Sequence, residues 1–293
     1  MQLCRQNIRR SLFAASAALS TGICAMSTTA NADAPQGALD PKDFKSFKVI
    51  KKEKVTHDTQ LIRFELPEGQ VSGMYTASCL VTRAPIGENG KNVIRPYTPI
   101  STPNTKGYLD MVVKAYPTGV MSKHICGLQV GDSLDLKGPI PKYPYQANIK
   151  KHIGMIAGGT GIAPMIQVIN EILNNPADKT EITLVFANHT ADDIILKKYI
   201  DDLAAKHANF HVHYVISKAN LMGLFWKGKV GLVNQAMIKE LLPPPSKDNL
   251  IMICGPPGMM KDVSGPKAPD FTQGEVSGYL KELGFDPSNV YKF

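Results

Sequence analysis

An arginine and a tyrosine two residues apart, in Arg95-Pro96-Tyr97-Thr98, are the residues of this chain best suited to holding a ligand. Arginine presents a planar fork of donors that grips a phosphate bidentately. Tyrosine offers a flat face for a ring system. Apolar Val93 and Ile94 lead into the pair and Pro103-Asn104 closes the stretch, so it reads as a strand. Together the two side chains suit a molecule with a phosphate at one end and an aromatic heterocycle at the other. An edge strand with a solvated arginine would use the same residues, so the assignment depends on the neighbouring motifs.

Three further stretches supply that company. After the alternating run Tyr108 to Val113 comes Lys114-Ala115-Tyr116-Pro117-Thr118-Gly119-Val120-Met121-Ser122. Gly119 reads as a tight turn opening a short helix, with backbone N–H groups and the Ser122 hydroxyl aimed at an anion; an ordinary junction with Ser122 as helix cap is the plainer alternative. Next, Ile153 to Ala157 runs into Gly158-Gly159-Thr160-Gly161-Ile162-Ala163-Pro164 and an amphipathic stretch from Met165 to Leu173. Glycines let a backbone approach a ligand closely, and Pro164 falls where a first helical turn tolerates proline. The spacing is not that of the Rossmann fingerprint. Last, Leu250 to Cys254 leads into Gly255-Pro256-Pro257-Gly258-Met259, which puts Cys254 at the carboxyl end of a strand, where open α/β sheets bind ligands.

In this order the four motifs resemble the ferredoxin–NADP reductase superfamily, and within it the NADH–cytochrome b5 reductases. The flavin signature is matched by Arg95, Tyr97 and Thr98 with Gly119 and Ser122, and the pyridine-nucleotide signature by Gly158 to Pro164 with Cys254 to Met259. The resemblance runs from about Phe44 to Phe293. The closing stretches Val263-Ser264-Gly265-Pro266-Lys267 and Gln273-Gly274-Glu275-Val276-Ser277-Gly278 are similar to the family's mitochondrial branch.

The resemblance implies an FAD enzyme that takes hydride from NADH and passes single electrons to a haem protein such as cytochrome b5. It places the FAD pyrophosphate on Arg95 and the turn Gly119, Val120, Met121 and Ser122. Pro96, Tyr97, Thr98 and Val112 would line the flavin, with Lys114 and Tyr116 flanking it. Thr160 would stand between the two cofactors. Gly158, Gly159, Gly161, Pro164, Cys254, Gly255, Pro256 and Met259 would line NADH. Thr160, Cys254 and Lys114 would lie nearest the reaction, with no conventional acid or base. Two positions depart from the animal relatives. Trp226-Lys227-Gly228-Lys229 puts a lysine where NADH-preferring relatives place an acid, and Gly73 to Thr82 contains no histidine. A reductase for a quinone, ascorbate radical or ferric acceptor is the second reading. A flavin-binding scaffold is the third, although a scaffold would have no use for the second nucleotide motif.

The expected fold is an antiparallel β-barrel that binds FAD, followed by an α/β Rossmann-like parallel sheet that binds the nucleotide. Short alternating runs at Val49–Val55, Leu61–Leu66, Ala77–Thr82, Leu109–Lys114 and Ser133–Lys137, broken by Gly and Pro, predict the barrel. Strands at Glu181–Asn188 and Phe210–Ser217 alternating with helices at Ile194–Lys206 and Val233–Leu241 predict the parallel sheet. The proline cluster Pro139 to Tyr145 marks the join. This gives a targeting or anchor segment at 1–32, an FAD domain at 40–145 and a nucleotide domain at 150–293 of the 293 residues.

The five cysteines are widely spaced and lack a Cys-x-x-Cys pair, which argues against a structural zinc site or an iron–sulfur cluster. None of the seven histidines has metal-ligand company in sequence, so no metal is expected. The net charge of +8 suits docking of an acidic electron-transfer protein. No arginine-rich patch points to nucleic acid, and a monomer is expected. The first ten residues carry Arg5, Arg9 and Arg10, no charge follows from Ser11 to Ala32, and the first acid is Asp33. A mitochondrial presequence, a secretory signal cut after Ala30-Asn31-Ala32 and a membrane anchor all fit this pattern. The expectation is mitochondrial, at the outer membrane or in the intermembrane space, with the endoplasmic reticulum membrane as the alternative.

Overall fold

Apolar residues at every second position account for the first sheet. In β1 (Lys45–Lys54) Phe47 and Val49 point inward, in β2 (Thr59–Glu65) Ile62 and Phe64, and in β6 (Ser133–Pro141) Leu134 and Leu136. These strands, with β3 (Ser78–Ala84), β4 (Val93–Tyr97) and β5 (Tyr108–Lys114), form a six-stranded antiparallel sheet in the order β4-β3-β6-β1-β2-β5. β1 pairs with β6 through its first half and with β2 through its second, the register shifting between Val49 and Lys51. That irregularity bends the strand and lets the sheet curl. Beyond β4 the chain returns to the far edge, where Ile100 N–H donates to the Asp110 carbonyl of β5 (2.9 Å). The sheet thereby closes on itself, and helix α1 (Val120–Gly127) adds Met121 and Ile125 to its core. The structure described is a computed structural model, covering residues 37–218 and 226–293. The targeting segment expected at 1–32 lies outside the described residues.

The second sheet reads differently in sequence because both its faces are covered. β7 (His152–Gly158) is buried from Ile153 onward without alternation. It lies in the six-stranded order β10-β9-β8-β7-β11-β12, with β8 (Glu181–Asn188), β9 (Phe210–Ile216), β10 (Lys229–Val230), β11 (Asn249–Cys254) and β12 (Val290–Lys292), all neighbours parallel. Helix α2 (Ile162–Asn174) packs Met165, Ile166, Ile169 and Ile172 against Ile153, Met155, Leu184 and Phe186 on one face. On the other face Ile156, Val185, Ile251 and Ile253 meet Ile238 of α4 (Gln235–Leu241) and Val263 of α5 (Pro257–Val263). Each such buried aliphatic side chain contributes about 1.5–3 kcal/mol. α3 (Lys197–Lys206) flanks β9, and α6 (Gly278–Glu282) packs on α5.

The chain enters this sheet at β7, runs outward through β8 and β9, then crosses back to β11 on the other side of β7. That reversal puts a topological switch point at the carboxyl ends of β7 and β11, the position at which open α/β sheets bind ligands. Among the element boundaries that differ from the sequence expectation, two have a clear local cause. β6 continues through the proline cluster to Pro141, because Ser78 and Cys79 of β3 lie opposite Pro141 and Ile140. α3 starts at Lys197 instead of Ile194, because a 3-10 turn at Ala191–Asp193, closed by a Thr190–Asp193 capping box, and a left-handed Leu196 (φ 57°) intervene.

Candidate functional site

β7 and β11 run side by side, with Cys254 opposite Ala157, so their two turns lie against each other. Gly158 ends β7, and Gly159-Thr160-Gly161 forms a 3-10 turn that feeds directly into α2, with Pro164 in the first helical turn. Gly159 has φ +54° and needs to be glycine for that reason. Gly161 has an ordinary helical backbone and is glycine because a Cβ there would overlap the Cys254 carbonyl. Met259 folds back over Gly158 and Gly255, while Pro256 and Pro257 open α5.

The flavin motif faces these turns from the barrel. Tyr116, on the turn just past β5, reaches across to Thr160, hydroxyl to hydroxyl at 3.2 Å. Val112 of β5 is buried in the same apolar cluster as Ile162 and Met165 of α2. Gln167 of α2 donates to the Pro99 carbonyl (3.0 Å) and accepts from Ser78 N–H (3.2 Å), pinning the end of the Arg95–Thr98 segment to the second sheet. Gln167 escaped the sequence reading. A glutamine on the apolar face of Met165 to Leu173 was the signal available.

Arg95 stands exposed on the edge strand β4, and its guanidinium donates only to its own neighbour's carbonyl, Ile94 O (2.8 Å). Among the described residues no carboxylate neutralises it. Pro96 is exposed beside it, and Thr98 is partly exposed. Tyr97 packs its ring on the barrel core, where burial pushes its phenol up to about 12. α1 lies against β4 and begins at Gly119 with no side-chain cap. The N–H groups of its first turn are therefore available to an anion, next to an unpaired guanidinium. This donor set fits a pyrophosphate.

One expectation needs correcting. The Ser122 hydroxyl does not project from the turn: it is buried, donates to the Gly119 carbonyl (3.3 Å) and accepts from Tyr116 N–H (3.4 Å). Ser122 sits at the third helical position, where its side chain folds back under the turn and shapes it; Met121 is buried beside it, and Val120 is exposed. Lys114, expected to flank the flavin, is paired with a carboxylate. Its ammonium is held 2.8 Å from Asp58, which lies on the turn between β1 and β2.

Cys254 keeps some exposed surface, but its thiol lies in apolar surroundings, and burial pushes it up to about 11. It is therefore protonated at neutral pH, suited to packing against a ring more than to nucleophilic attack. Alkylation of Cys254 by iodoacetamide should be slow at pH 7 and should accelerate about tenfold per pH unit up to that value, as the thiolate fraction grows. NADH should slow it at every pH. Peptide mapping by mass spectrometry reads both effects, and rapid labelling at pH 7 would contradict the buried thiol.

The barrel matches a family model described as an oxidoreductase FAD-binding domain over residues 46–145, and the second half matches an oxidoreductase NAD-binding domain over residues 155–265. The NADH-cytochrome b5 reductase-like protein of Arabidopsis thaliana is 50% identical over 88% of this chain and 79% of its own length. NADH-cytochrome b5 reductase 2 of Candida albicans is 41% identical over 96% of this chain and 94% of its own. Among solved structures, the cytochrome b5 reductase domain of Ulva prolifera nitrate reductase superposes with a TM-score of 0.76 at 32% identity, over 88% of this chain and all of that one.

Proposed function

Because the chain belongs to the NADH–cytochrome b5 reductase family, we infer that it oxidises NADH through FAD and delivers the electrons to cytochrome b5. Bound FAD supplies the chemistry that side chains lack, accepting a hydride and releasing electrons singly. The observation that carries the reading is the meeting of the Gly158–Gly161 turn with Cys254 on one side and, through Thr160, with Tyr116 of the barrel on the other. Arg95 and the open amino end of α1 would hold the FAD phosphates. Tyr97 and Thr98 would hold the flavin portion. The glycine turn and the Cys254–Pro256 stretch bring backbone close to the nicotinamide nucleotide. Gln167 and the Tyr116–Thr160 contact keep the two halves in register, so that neither nucleotide has to position the other.

We further propose a mitochondrial enzyme working as a monomer. Arg5, Arg9, Arg10 and the acid-free start support the location, and the net charge of +8 supports an acidic partner. The charge-free run from Ser11 to Ala32 supports membrane association through the N-terminus. Among the described residues no helix is long and apolar enough to cross a membrane.

An anaerobic titration tests the reading. One equivalent of NADH should bleach the flavin absorbance, and oxidised cytochrome b5 should restore it; a flavin that NADH leaves oxidised overturns the proposal. The same titration tests nucleotide choice. Lys227 is exposed next to Trp226, whose indole donates to Lys229 O (3.1 Å) at the start of edge strand β10. Lys227→Asp should raise the KM for NADPH severalfold and leave that for NADH nearly unchanged, since a carboxylate repels a 2′-phosphate and accepts from ribose hydroxyls. An unchanged ratio of the two would place nucleotide selection elsewhere.

A further inference from the structure

We propose that His57, Asp58 and Asp193 form a site for a divalent cation of the imidazole–carboxylate type, with Zn²⁺ the best match. In the sequence His57 has only Asp58 beside it; the fold brings Asp193 to the pair. His57 and Asp58 lie on the β1–β2 turn of the barrel, and Asp193 lies on the turn after β8 in the second half. His57 Nδ1 stands 3.1 Å from Asp193 Oδ1, and Nε2 stands 3.4 Å from Asp58 Oδ2. One ligand atom from each of the three residues falls within 4.8 Å of the others.

The second observation concerns Asp193 itself. Its side chain is 7% exposed, and Oδ2 is satisfied by Thr190 N–H (3.0 Å) and the Thr190 hydroxyl (2.8 Å). Oδ1 is buried and, among the described residues, accepts no hydrogen bond; the imidazole beside it is close without being aligned to donate. A buried carboxylate oxygen without a partner is costly, and this one points at His57.

Asp58 is built the same way. Its Oδ1 accepts from the Thr56 hydroxyl (3.0 Å) and the Thr59 hydroxyl (3.1 Å), while Oδ2 faces His57 and Lys114. Each carboxylate is thus oriented by hydroxyls through one oxygen and presents the other, the way outer-shell donors orient metal ligands. Lys114 offsets one of the two negative charges, so the pocket keeps a net attraction for a cation. It also competes for Asp58, which an arriving ion must take from it or share. An imidazole with two carboxylates suits Zn²⁺ better than Mg²⁺ or Ca²⁺, which prefer all-oxygen shells. His57 is exposed, which gives the ion an entry path and leaves its remaining positions to water. A bound ion would tie the barrel to the nucleotide half and loosen the Lys114–Asp58 pair next to the flavin residues.

Isothermal titration of the tag-free full-length protein with Zn²⁺, in excess Mg²⁺, tests this. One equivalent should bind and raise the thermal midpoint. His57→Ala, at an exposed position outside the electron path, should keep the flavin spectrum and NADH oxidation but weaken Zn²⁺ binding at least tenfold and abolish the thermal shift. Asp193→Asn should do the same to binding, and should it fail to fold, the His57→Ala comparison decides alone. Absence of binding overturns the proposal. So does binding that survives His57→Ala, or binding that disappears in Cys254→Ser, which would assign the ion to the thiol.

Discussion

Arg95→Ala is expected to weaken FAD binding about 10- to 150-fold, the equivalent of losing a charge-assisted hydrogen bond of about 1.5–3 kcal/mol, while leaving the apoprotein as stable as before. Both halves of that expectation come from what the side chain touches. It is exposed, pairs with no carboxylate among the described residues, and makes one local bond to Ile94 O. The free fold therefore loses almost nothing when it is removed. The phosphate loses a planar fork standing next to the uncapped first turn of α1. Arg95→Lys should recover part of the affinity, since an ammonium keeps the charge without the bidentate geometry. Equilibrium dialysis of the apoprotein against FAD measures the first effect. Thermal melts with and without FAD separate it from the second, because a ligand that binds only the native state raises the midpoint by an amount that grows with the logarithm of its affinity. Full flavin occupancy in purified Arg95→Ala would place the pyrophosphate elsewhere.

That argument combines a motif legible in the sequence with a fact that only the fold supplies. Arg-x-Tyr-Thr identified the strand and the ligand chemistry, but whether the guanidinium was already spent on a carboxylate depended on tertiary neighbours. For Lys114 the same question has the opposite answer. Asp58 is a residue of the β1–β2 turn, distant in the chain, and nothing local to Lys114 announces it. Strands and helices were legible wherever one apolar pattern ran uninterrupted, as in the continuous buried run of β8 at Glu181–Asn188. Boundaries drifted where local chemistry competed with the pattern: the capping box of Thr190 and Asp193 delays α3, and pairing with β3 carries β6 through prolines that read as a linker. Least legible was the seam. Gln167 meets partners 68 and 89 residues away, and Asp193 meets His57 on the opposite sheet. Each looks locally like an ordinary helix or turn residue, and its role arises only when the barrel and the parallel sheet are packed.

At the centre of that packing, Gly161→Ala should lower the rate of flavin reduction by NADH about 10- to 100-fold while FAD remains bound. The backbone at Gly161 is ordinary, φ −61° and ψ −8°, so alanine is conformationally acceptable and even favoured at a helix start. The obstacle is space. A Cβ would overlap the Cys254 carbonyl and come within 3.0 Å of Gly255 N. These are backbone atoms at the end of β11, and no rotamer change can clear them. Nor can β11 slide, because its ladder to β7 is fixed in register from Asn249–His152 to Cys254–Ala157. The start of α2 must move away, at a cost of about 1–3 kcal/mol, the usual range for overpacking. Thr160 moves with it, and so does its contact with Tyr116 across the seam. A displacement of even 1 Å between reacting partners costs up to about 100-fold in rate. FAD is spared because Arg95 and α1 belong to the barrel. Gly159→Ala is the control: its φ of +54° is unfavourable to alanine, but a Cβ there meets nothing within 4 Å. It should lower stability by about 1–2 kcal/mol through backbone strain and slow hydride transfer far less. Stopped-flow reduction of both variants under anaerobic conditions, with thermal melts alongside, distinguishes the two causes. If Gly161→Ala reduces at the wild-type rate, the close approach of the two turns does not set the geometry of hydride transfer.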